Sequence, residues 1–378
     1  MIKNLIPSIG RSVLYLTGFR TKRKILLFES DDWGSIRMVS KDVYNRFLKK
    51  GYPVDQSTFN KYDALECNED LEMLFDVLYS VKDSNGNPAV ITINNIVANP
   101  DFEKIKASDF QEYYYEPFTE TLKHYPKHDR VFELYKEGIS HKVFYPQFHG
   151  REHLNVSRWM NALRKEDKDT RLPFEYNMFS IHTSPKHENI NEYMDSCGYD
   201  TYPEKGKIYR IISEGLSLFE KIWGFTSKSF IASCYIWNSN IENTLSRYGV
   251  KYLQGIMYQS EPSLSTLKPY KKKYHYLGQK NSLGQRYLIR NAFFEPCELI
   301  KSDFVHDCLR RIDLAFRWNK PAIIGSHRKN FIGFIDQPNR DKNLRLLKQL
   351  FKEIVHRWPD VEFMTSDQLG ELMNFEEL

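Results

Sequence analysis

Short apolar runs that end in charged or polar side chains recur along the chain, and this pattern restricts the fold more than any other feature of the sequence. Residues 24–28 form such a run and lead into Asp31 and Asp32. Residues 143–148 form another and lead into His149. A buried strand of a parallel sheet has this appearance, because both of its faces are covered and its polar residues are confined to its ends. The pattern predicts strands that deliver reactive side chains at their carboxyl ends.

Segments with helical spacing separate the predicted strands. Apolar residues recur at helical intervals in the segments 70–81, 304–318 and 344–358, and strand-like runs such as 89–93 and 322–325 lie between them. Strands that alternate with helices indicate an α/β fold built on a mostly parallel sheet or barrel. The sequence shows no internal repeat and no low-complexity linker, which favours one domain over two.

The expected organisation is an N-terminal arm over residues 1–23 followed by one domain over residues 24–378. A Tyr- and Glu-rich segment near 95–140 separates two predicted strands and is typical of an insertion that lies across the mouth of a fold. The arm is apolar but interrupted, and it has neither a signal-peptide cleavage site nor the length of a membrane span. We expect it to pack on the domain, with peripheral contact to a membrane surface as the alternative.

The composition supports a folded protein and argues against some partners. Hydrophobic residues make up 41% of the chain, charged residues 27% and aromatic residues 15%, which is typical of a globular protein. The formal charge of +5 is spread along the sequence, and the lysines at 271–273 read as a solvated loop, so nucleic acid is not an expected partner. Five scattered cysteines without a Cys-x-x-Cys spacing, together with the absence of a secretion signal, favour a reducing, cytoplasmic location.

The adjacent carboxylates of Asp31 and Asp32 form the first candidate site. Successive residues of a strand point to opposite sides, but at a strand-to-loop bend both side chains can face one pocket. One carboxylate could then bind a metal while the other moves a proton. Adjacent acids also occur in helix caps and turns, so the apolar strand that precedes this pair is what favours the functional interpretation.

His149 and His153 form the second candidate site. If the segment is helical, the two imidazoles lie on one face and can bind a single divalent ion. The order His-Gly-Arg-Glu-His differs from the His-Glu-x-x-His signature, and Gly150 weakens a long helix.

His327 follows the third apolar run and is a candidate general acid or base near neutral pH. A lone histidine is usually structural, but here three strand ends supply carboxylates or imidazoles.

The order of these motifs resembles that of the polysaccharide deacetylase family, carbohydrate esterases of the nodulation-protein-B type. That family has an Asp-Asp motif after the first strand, then a His-x-x-x-His motif, and a late Leu-x-His motif. Residues 30–34, 149–153 and 324–327 match them in this chain. The resemblance covers roughly residues 24–375 and depends on motif order and spacing more than on any one motif.

The resemblance implies a distorted (β/α) barrel with fewer than eight parallel strands. It also implies that Asp31 is the catalytic base, that His327 is the catalytic acid, and that Asp32, His149 and His153 bind the metal. Zinc is the first choice because two imidazoles and one carboxylate suit it, while cobalt, nickel or manganese could use the same ligands.

One family motif is altered. Ile231 and Ser233 stand where the family has Arg and Pro, so the arginine that pairs with the catalytic Asp is missing from its usual place. Arg290, at the end of a later predicted strand, could supply a guanidinium from another direction. Tyr235, at the end of the altered motif, and Trp237, just after it, are candidate substrate-binding residues.

Trp33 is a further candidate wall of the substrate pocket, and ordinary core packing is the alternative for both tryptophans.

The implied reaction removes an N-acetyl group from a sugar or glycan intermediate by attack of a water molecule that the metal activates. A hydrolase of the same fold that cleaves another C–N bond is one alternative. A carbohydrate-binding protein with an impaired catalytic site is the other, and the sequence leaves the oligomeric state open.

Overall fold

The structure is a computed structural model that describes residues 16–182, 193–265, 268–298 and 303–375. Of the predicted arm, residues 1–15 lie outside the described ranges, so for them both the expected packing on the domain and the alternative contact with a membrane surface stay predictions. Lys320 anchors the described end of the arm by donating to the carbonyls of Thr17, Gly18 and Phe19. Among the described helices, none has the length and apolar character needed to cross a lipid bilayer.

Thirteen strands are present in the described residues. In chain order they are β1 Lys24–Trp33, β2 Ile91–Ile96, β3 Ala98–Pro100, β4 Tyr115–Pro117, β5 Phe144–Gly150, β6 Ser229–Ile231, β7 Tyr252–Gly255, β8 Tyr258–Pro262, β9 Tyr270–Tyr274, β10 Arg286–Ile289, β11 Ala292–Phe293, β12 Ala322–His327 and β13 Val361–Met364. β3 pairs with β4 and β8 pairs with β9 in two small antiparallel hairpins, and the other nine strands form one parallel sheet.

The parallel sheet closes into a barrel. Its strand order is β10-β7-β6-β5-β2-β1-β12-β11, and its two ends, β10 and β11, are consecutive pieces of one chain segment. Between them, the Arg290 amide donates to Gly255 at the end of β7, and the Asn291 amide donates to Ile323 in β12. The segment 286–293 thus bonds to both neighbours, and the ring has seven positions. β13 pairs with β1 at Lys24–Leu27, ahead of the residues that pair with β2.

The predicted class, an α/β fold with a distorted barrel of fewer than eight parallel strands, is confirmed by this ring. The distortion lies where the strand 286–293 is interrupted. Successive residues of β1 alternate between two apolar clusters, because a strand has a period of two. Leu26 and Phe28 pack with the surrounding helices, and Ile25 and Leu27 face the other cluster. Glu29 and Asp31 continue the second set toward the end of the strand.

Thirteen α-helices surround the barrel in the described residues. They are α1 Lys41–Lys49, α2 Thr58–Tyr62, α3 Asn68–Tyr79, α4 Phe102–Ala107, α5 Phe118–Thr121, α6 Val131–Ser140, α7 Val156–Arg164, α8 Lys168–Phe174, α9 Tyr202–Trp223, α10 Ile241–Arg247, α11 Phe304–Arg317, α12 Gln337–Arg357 and α13 Ser366–Phe375. The three predicted helical segments correspond to α3, α11 and α12. The segment near 95–140, predicted as an insertion, contains the β3–β4 hairpin, α4, α5 and α6.

Candidate active site

A pocket of about 280 Å³ opens at the carboxyl ends of the barrel strands. Parallel strands place their final residues at one edge, which is where α/β barrels keep reactive side chains. Five of the residues singled out in the sequence as catalytic or metal-binding line it. The lining residues are Asp31, Asp32, Arg37, Ser57, Phe59, His149, His153, Met194, Ala232, Cys234, Tyr235 and His327.

An irregularity at the end of β1 brings both adjacent carboxylates into this pocket. The pairing of β1 with β2 shifts register between Ser30 and Trp33, and Asp32 adopts a φ of 78°. A left-handed conformation at a non-glycine residue costs free energy and is concentrated at functional sites. The shift breaks the alternation of the strand, so Asp31 and Asp32 face the same side.

The same shift corrects the prediction that Trp33 forms a pocket wall. Trp33 is fully buried, and its indole N–H donates to the Ser30 hydroxyl. Its ring packs edge-on against Phe144, with a centroid distance of 5.0 Å. Because the strand parity changes at Asp32, the indole joins the cluster on the helix side of the sheet and lies outside the pocket lining.

Asp32, His149 and His153 converge on one point. Asp32 Oδ1 lies 3.4 Å from His149 Nε2 and 3.2 Å from His153 Nε2, and one ligand atom from each residue lies within 4.8 Å of the others. All three residues are buried. Two imidazoles and a carboxylate in this arrangement are a ligand set that zinc and similar divalent ions prefer.

The hydrogen bonding and burial of the two imidazoles suit metal binding. His149 Nδ1 lies 2.9 Å from the Ile231 carbonyl oxygen, which can only accept, so Nδ1 is the donor in this contact and Nε2 is the nitrogen left to bind a metal. That Nε2 is buried and makes no hydrogen bond within the described part of the chain. Burial lowers the pKa of His153 to about 3, so this imidazole is neutral at physiological pH. The residues present therefore fit a divalent metal ion.

The two histidines do not share a helix face. His149 lies in β5 and His153 in the loop that follows it, before α7 begins at Val156. Gly150 has a φ of 149°, which ends the strand and turns the chain so that residue 153 folds back beside residue 149. The conditional prediction of a helical pair is thus wrong, because a strand end followed by a glycine turn brings the imidazoles together instead.

Arg290, which lies between β10 and β11, pairs with Asp31. Its Nη1 and Nη2 donate to the two oxygens of Asp31 at 2.7 and 2.6 Å, and its Nε donates to Glu29 at 2.7 Å. Gly325 makes room for this side chain, since a Cβ there would lie 2.7 Å from Arg290 Cδ. Burial raises the pKa of Asp31, but the effect of the neighbouring guanidinium is larger and opposite, and the pKa falls to about 2.

His327 lies across the pocket from the metal-ligand cluster. Its Nε2 is 4.0 Å from Asp31 Oδ2, and its Nδ1 is 2.6 Å from Glu295 Oε1. Burial lowers the pKa of His327, but the carboxylates of Glu295, Asp32 and Asp31 together outweigh burial and raise it to about 9, with Glu295 contributing most. His327 is therefore protonated at neutral pH and carries its proton on the side that faces the pocket.

The segment after β6 contributes Cys234 and Tyr235 to the pocket. Both residues have left-handed backbone conformations, with φ values of 56° and 57°. The Tyr235 hydroxyl lies 3.3 Å from Arg290 Nη1. Trp237, which was predicted to bind substrate, is buried instead, and its indole N–H donates to Glu242. The prediction for Trp237 is therefore wrong. The chain turns into the barrel core after Tyr235, so the indole packs beside His275 and lies outside the pocket lining.

A buried network holds the loop that carries His153. Tyr113, from the segment between β2 and β5, donates to Glu152 Oε1 at 2.7 Å, and Arg151 Nε donates to the same oxygen at 2.7 Å. The Arg151 guanidinium lies 4.1 Å from the centroid of the Tyr115 ring. Glu152 is thus held from two sides, and the loop is fixed next to His153.

Replacing Tyr113 with Phe is expected to weaken Zn²⁺ affinity by roughly tenfold, because partners that orient a ligand shell contribute on this scale. The change removes one hydroxyl and leaves the ring in place. Tyr114→Phe is the matched control, since among the described residues that hydroxyl bonds only to exposed Glu112. Competition with a chelator measures both affinities. Equal affinities for the two variants would show that Tyr113 does not support the ligand loop.

Three residues around Asp31 and His327 were not identified from the sequence. Asn94 donates to Asp31 Oδ1 at 2.7 Å, Glu29 accepts from Arg290, and Glu295 accepts from His327. Glu29 and Glu295 each lie near a strand end that was already singled out, and that position is the available signal. Asn94 lies in β2, the neighbour of β1, and only the strand order reveals its contact with Asp31.

Comparison with known proteins gives matches in solved structures only. No family model matches the chain, and no curated protein matches it. A protein from Mycobacterium smegmatis assigned as a polysaccharide deacetylase is 11% identical, with a TM-score of 0.43 over 96% of this chain and 94% of its own. Another, from Pseudomonas aeruginosa, is 8% identical, with a TM-score of 0.46 over 93% and 91%. The chain is also similar to Puue allantoinase, at 10% identity and a TM-score of 0.44 over 94% and 93%.

Proposed function

We propose that this protein is a metal-dependent hydrolase that removes the acetyl group from an N-acetylated sugar or glycan intermediate. The observation that carries the proposal is the content of one pocket. Asp32, His149 and His153 form a cluster of potential metal ligands there. An Arg-paired carboxylate, Asp31, and a protonated imidazole, His327, lie in the same pocket. Amide hydrolysis needs a proton acceptor, a proton donor and a means of polarising the acyl group, and this set can provide all three.

A divalent ion held by Asp32, His149 and His153 would polarise the acyl oxygen and lower the pKa of a water molecule. Zinc is the ion we propose, and cobalt, nickel or manganese could use the same ligands. The protein fixes the ligand geometry through the His149–Ile231 hydrogen bond and the loop around Glu152.

Asp31 is the proposed proton acceptor. Its pKa of about 2 keeps the carboxylate ionised at neutral pH. Oδ1 accepts from Asn94 and from Arg290, whereas Oδ2 accepts from Arg290 and faces His327 at 4.0 Å. Oδ2 is therefore the oxygen that can take a proton from the attacking water.

His327 is the proposed proton donor. When water adds to the acyl carbon and the C–N bond breaks, the leaving nitrogen needs a proton to depart as a neutral amine. His327 holds one at neutral pH, because the Glu295 carboxylate stabilises the imidazolium. The products are acetate and an amino sugar.

The backbone beside β6 is the proposed site for the negative charge that develops on the acyl oxygen. The Tyr235 N–H already donates to the Ala232 carbonyl, which leaves the Cys234 N–H as the candidate donor. Backbone N–H groups of this kind stabilise an oxyanion in acyl transfer. The left-handed conformation of Cys234 gives a structural reason for this choice, because it turns the peptide away from the strand direction.

The proposal is tested by metal analysis together with a screen for acetate release. We expect purified protein to hold one equivalent of metal and to release acetate from N-acetylated sugars, sugar nucleotides or glycan oligomers. Asp32→Ala should lose both metal and activity. Stoichiometric metal without acetate release from any member of the panel would contradict deacetylation. Release of another amine from ureides or cyclic amides would then assign the site to hydrolysis of a different C–N bond.

A further inference from the structure

Arg37 is a second arginine of the site, and its role differs from that of Arg290. Arg37 lines the pocket together with Asp32 and His153, and only 7% of its side chain is exposed. A buried arginine is expected to have its five N–H donors satisfied, because each unpaired donor costs free energy. Arg290 meets this expectation, since Glu29 and Asp31 accept from its Nε, Nη1 and Nη2.

Arg37 does not meet it. Its Nε lies 3.4 Å from Asp63 Oδ2, and neither atom makes a hydrogen bond in the described residues. Its Nη1 donates to the thioether sulfur of Met194 at 2.9 Å, and sulfur is a weak acceptor. Within the described ranges, no residue accepts a hydrogen bond from Nη2. Arg37 thus lines the pocket with most of its donor capacity unused in the described residues.

The nearest carboxylate is committed to another arginine. Asp63 Oδ1 accepts from Arg328 Nε at 3.1 Å, and Arg328 Nη1 donates to Glu66 at 2.7 Å. The Asp63 carboxylate lies close enough to offset the positive charge of Arg37, but it accepts no hydrogen bond from the Arg37 guanidinium. Two aromatic rings, Phe59 and Phe179, lie 5.0 and 5.4 Å from the Arg37 guanidinium carbon, and such rings hold a guanidinium in place.

We propose that Arg37 binds an anionic group, a carboxylate or a phosphate, carried by the acylated substrate. The inference rests on the proposed function and narrows its substrate to anionic N-acetyl sugars. A planar guanidinium with free donors matches both anions in a bidentate geometry. The rigid setting between two rings lowers the entropic cost of that contact, because the side chain is already ordered.

Kinetics on matched sugars test this assignment. The probes are N-acetylglucosamine, its 6-phosphate, and N-acetylmuramic acid, which carries a carboxylate. Wild-type protein is expected to favour at least one anionic sugar by tenfold or more in kcat/KM. Arg37→Met should abolish that preference mainly through KM, and Arg37→Lys should keep part of it. Arg171→Met is the matched control, because Arg171 also stacks on a phenylalanine, Phe110, but lies outside the pocket lining.

Binding gives a second measurement that needs no turnover. Calorimetry on the zinc-loaded protein compares glucosamine with glucosamine 6-phosphate. Tighter binding of the phosphate that Arg37→Met removes and Arg171→Met keeps would support the assignment. A preference that persists in Arg37→Met would place the anion on the metal instead and overturn it. Equal binding of neutral and anionic sugars by the wild-type protein would also overturn it, whereas anion binding without acetate release would contradict only the proposed reaction.

Discussion

Asp31→Asn is expected to lower the rate of acetate release by a factor of about 10² to 10⁴, the range that a positioned acid–base group contributes. The amide cannot take a proton from water, and it presents an N–H₂ group where the carboxylate has an oxygen. Metal content should be retained, because Asp31 is not among the three clustered ligand atoms. The rate and the bound metal are measured on the same preparation.

Asp70→Asn is the control for the loss of a buried carboxylate. Asp70 is buried and pairs with Arg340 at 3.0 Å, as Asp31 pairs with Arg290, but it lies outside the pocket lining. Both variants leave a buried guanidinium with fewer partners, so both should be less stable than the wild-type protein. Only Asp31→Asn should lose the chemical step. If it kept the wild-type rate, Asp31 would not be the base.

Much of the fold could be predicted because local patterns determine it. The apolar run in β1 and the spacing in α3 and α11 reflect burial that recurs at fixed periods. The closure of the barrel could not be predicted in this way. It depends on Arg290 and Asn291 bonding to strands on opposite sides, and such pairing between distant parts of the chain leaves no periodic signal.

The same contrast applies to the site. Residues next to apolar strand ends, such as Asp32 and His149, were identified because strand ends of a parallel sheet share one edge. Trp33 was misplaced because a single register shift reverses which side a residue faces. Arg37 lies beyond the strand in an irregular segment, and its position in the pocket depends on packing against Phe59 and Phe179.

The pairing of Arg290 with Asp31 depends on the fold and not on proximity in the sequence. Asp31 and Arg290 are far apart in sequence, and the guanidinium reaches the carboxylate because the interrupted strand 286–293 lies next to β12. Glu29 accepts from Arg290 Nε, and the Ser366 hydroxyl donates to Glu29. These contacts hold the guanidinium at its Nε atom, so its two Nη atoms are left to pair with Asp31.

Glu295→Gln is expected to move the alkaline limb of the pH–rate profile down by more than one unit. The proposed acid must be protonated, so activity is present below the pKa of His327 and is lost as the pH rises through it. In the wild-type protein that pKa is about 9, because the carboxylates of Glu295, Asp32 and Asp31 together outweigh the opposing effect of burial. A neutral amide at position 295 removes the largest of these attractions, and the pKa of His327 then falls.

Stability should change with pH in the same direction. The folded-state pKa of His327 lies above its ordinary value of 6.5, so its contribution to the free energy of unfolding is complete below that value. The contribution disappears as the pH rises through about 9. Glu295→Gln should therefore cost more stability at acidic than at alkaline pH, as measured by denaturant unfolding.

Glu298→Gln separates this effect from the loss of any nearby charge. Glu298 pairs with Lys329 at 2.6 Å and makes no described contact with His327. The alkaline limb of the pH–rate profile of Glu298→Gln should therefore stay close to that of the wild-type protein. An alkaline limb that is the same in Glu295→Gln and in the wild-type protein would show that His327 is not the group whose protonation limits the rate. A limb that moves only in Glu295→Gln would assign it to the His327–Glu295 pair, because Glu298→Gln also removes a nearby carboxylate charge but leaves the partner of His327 in place.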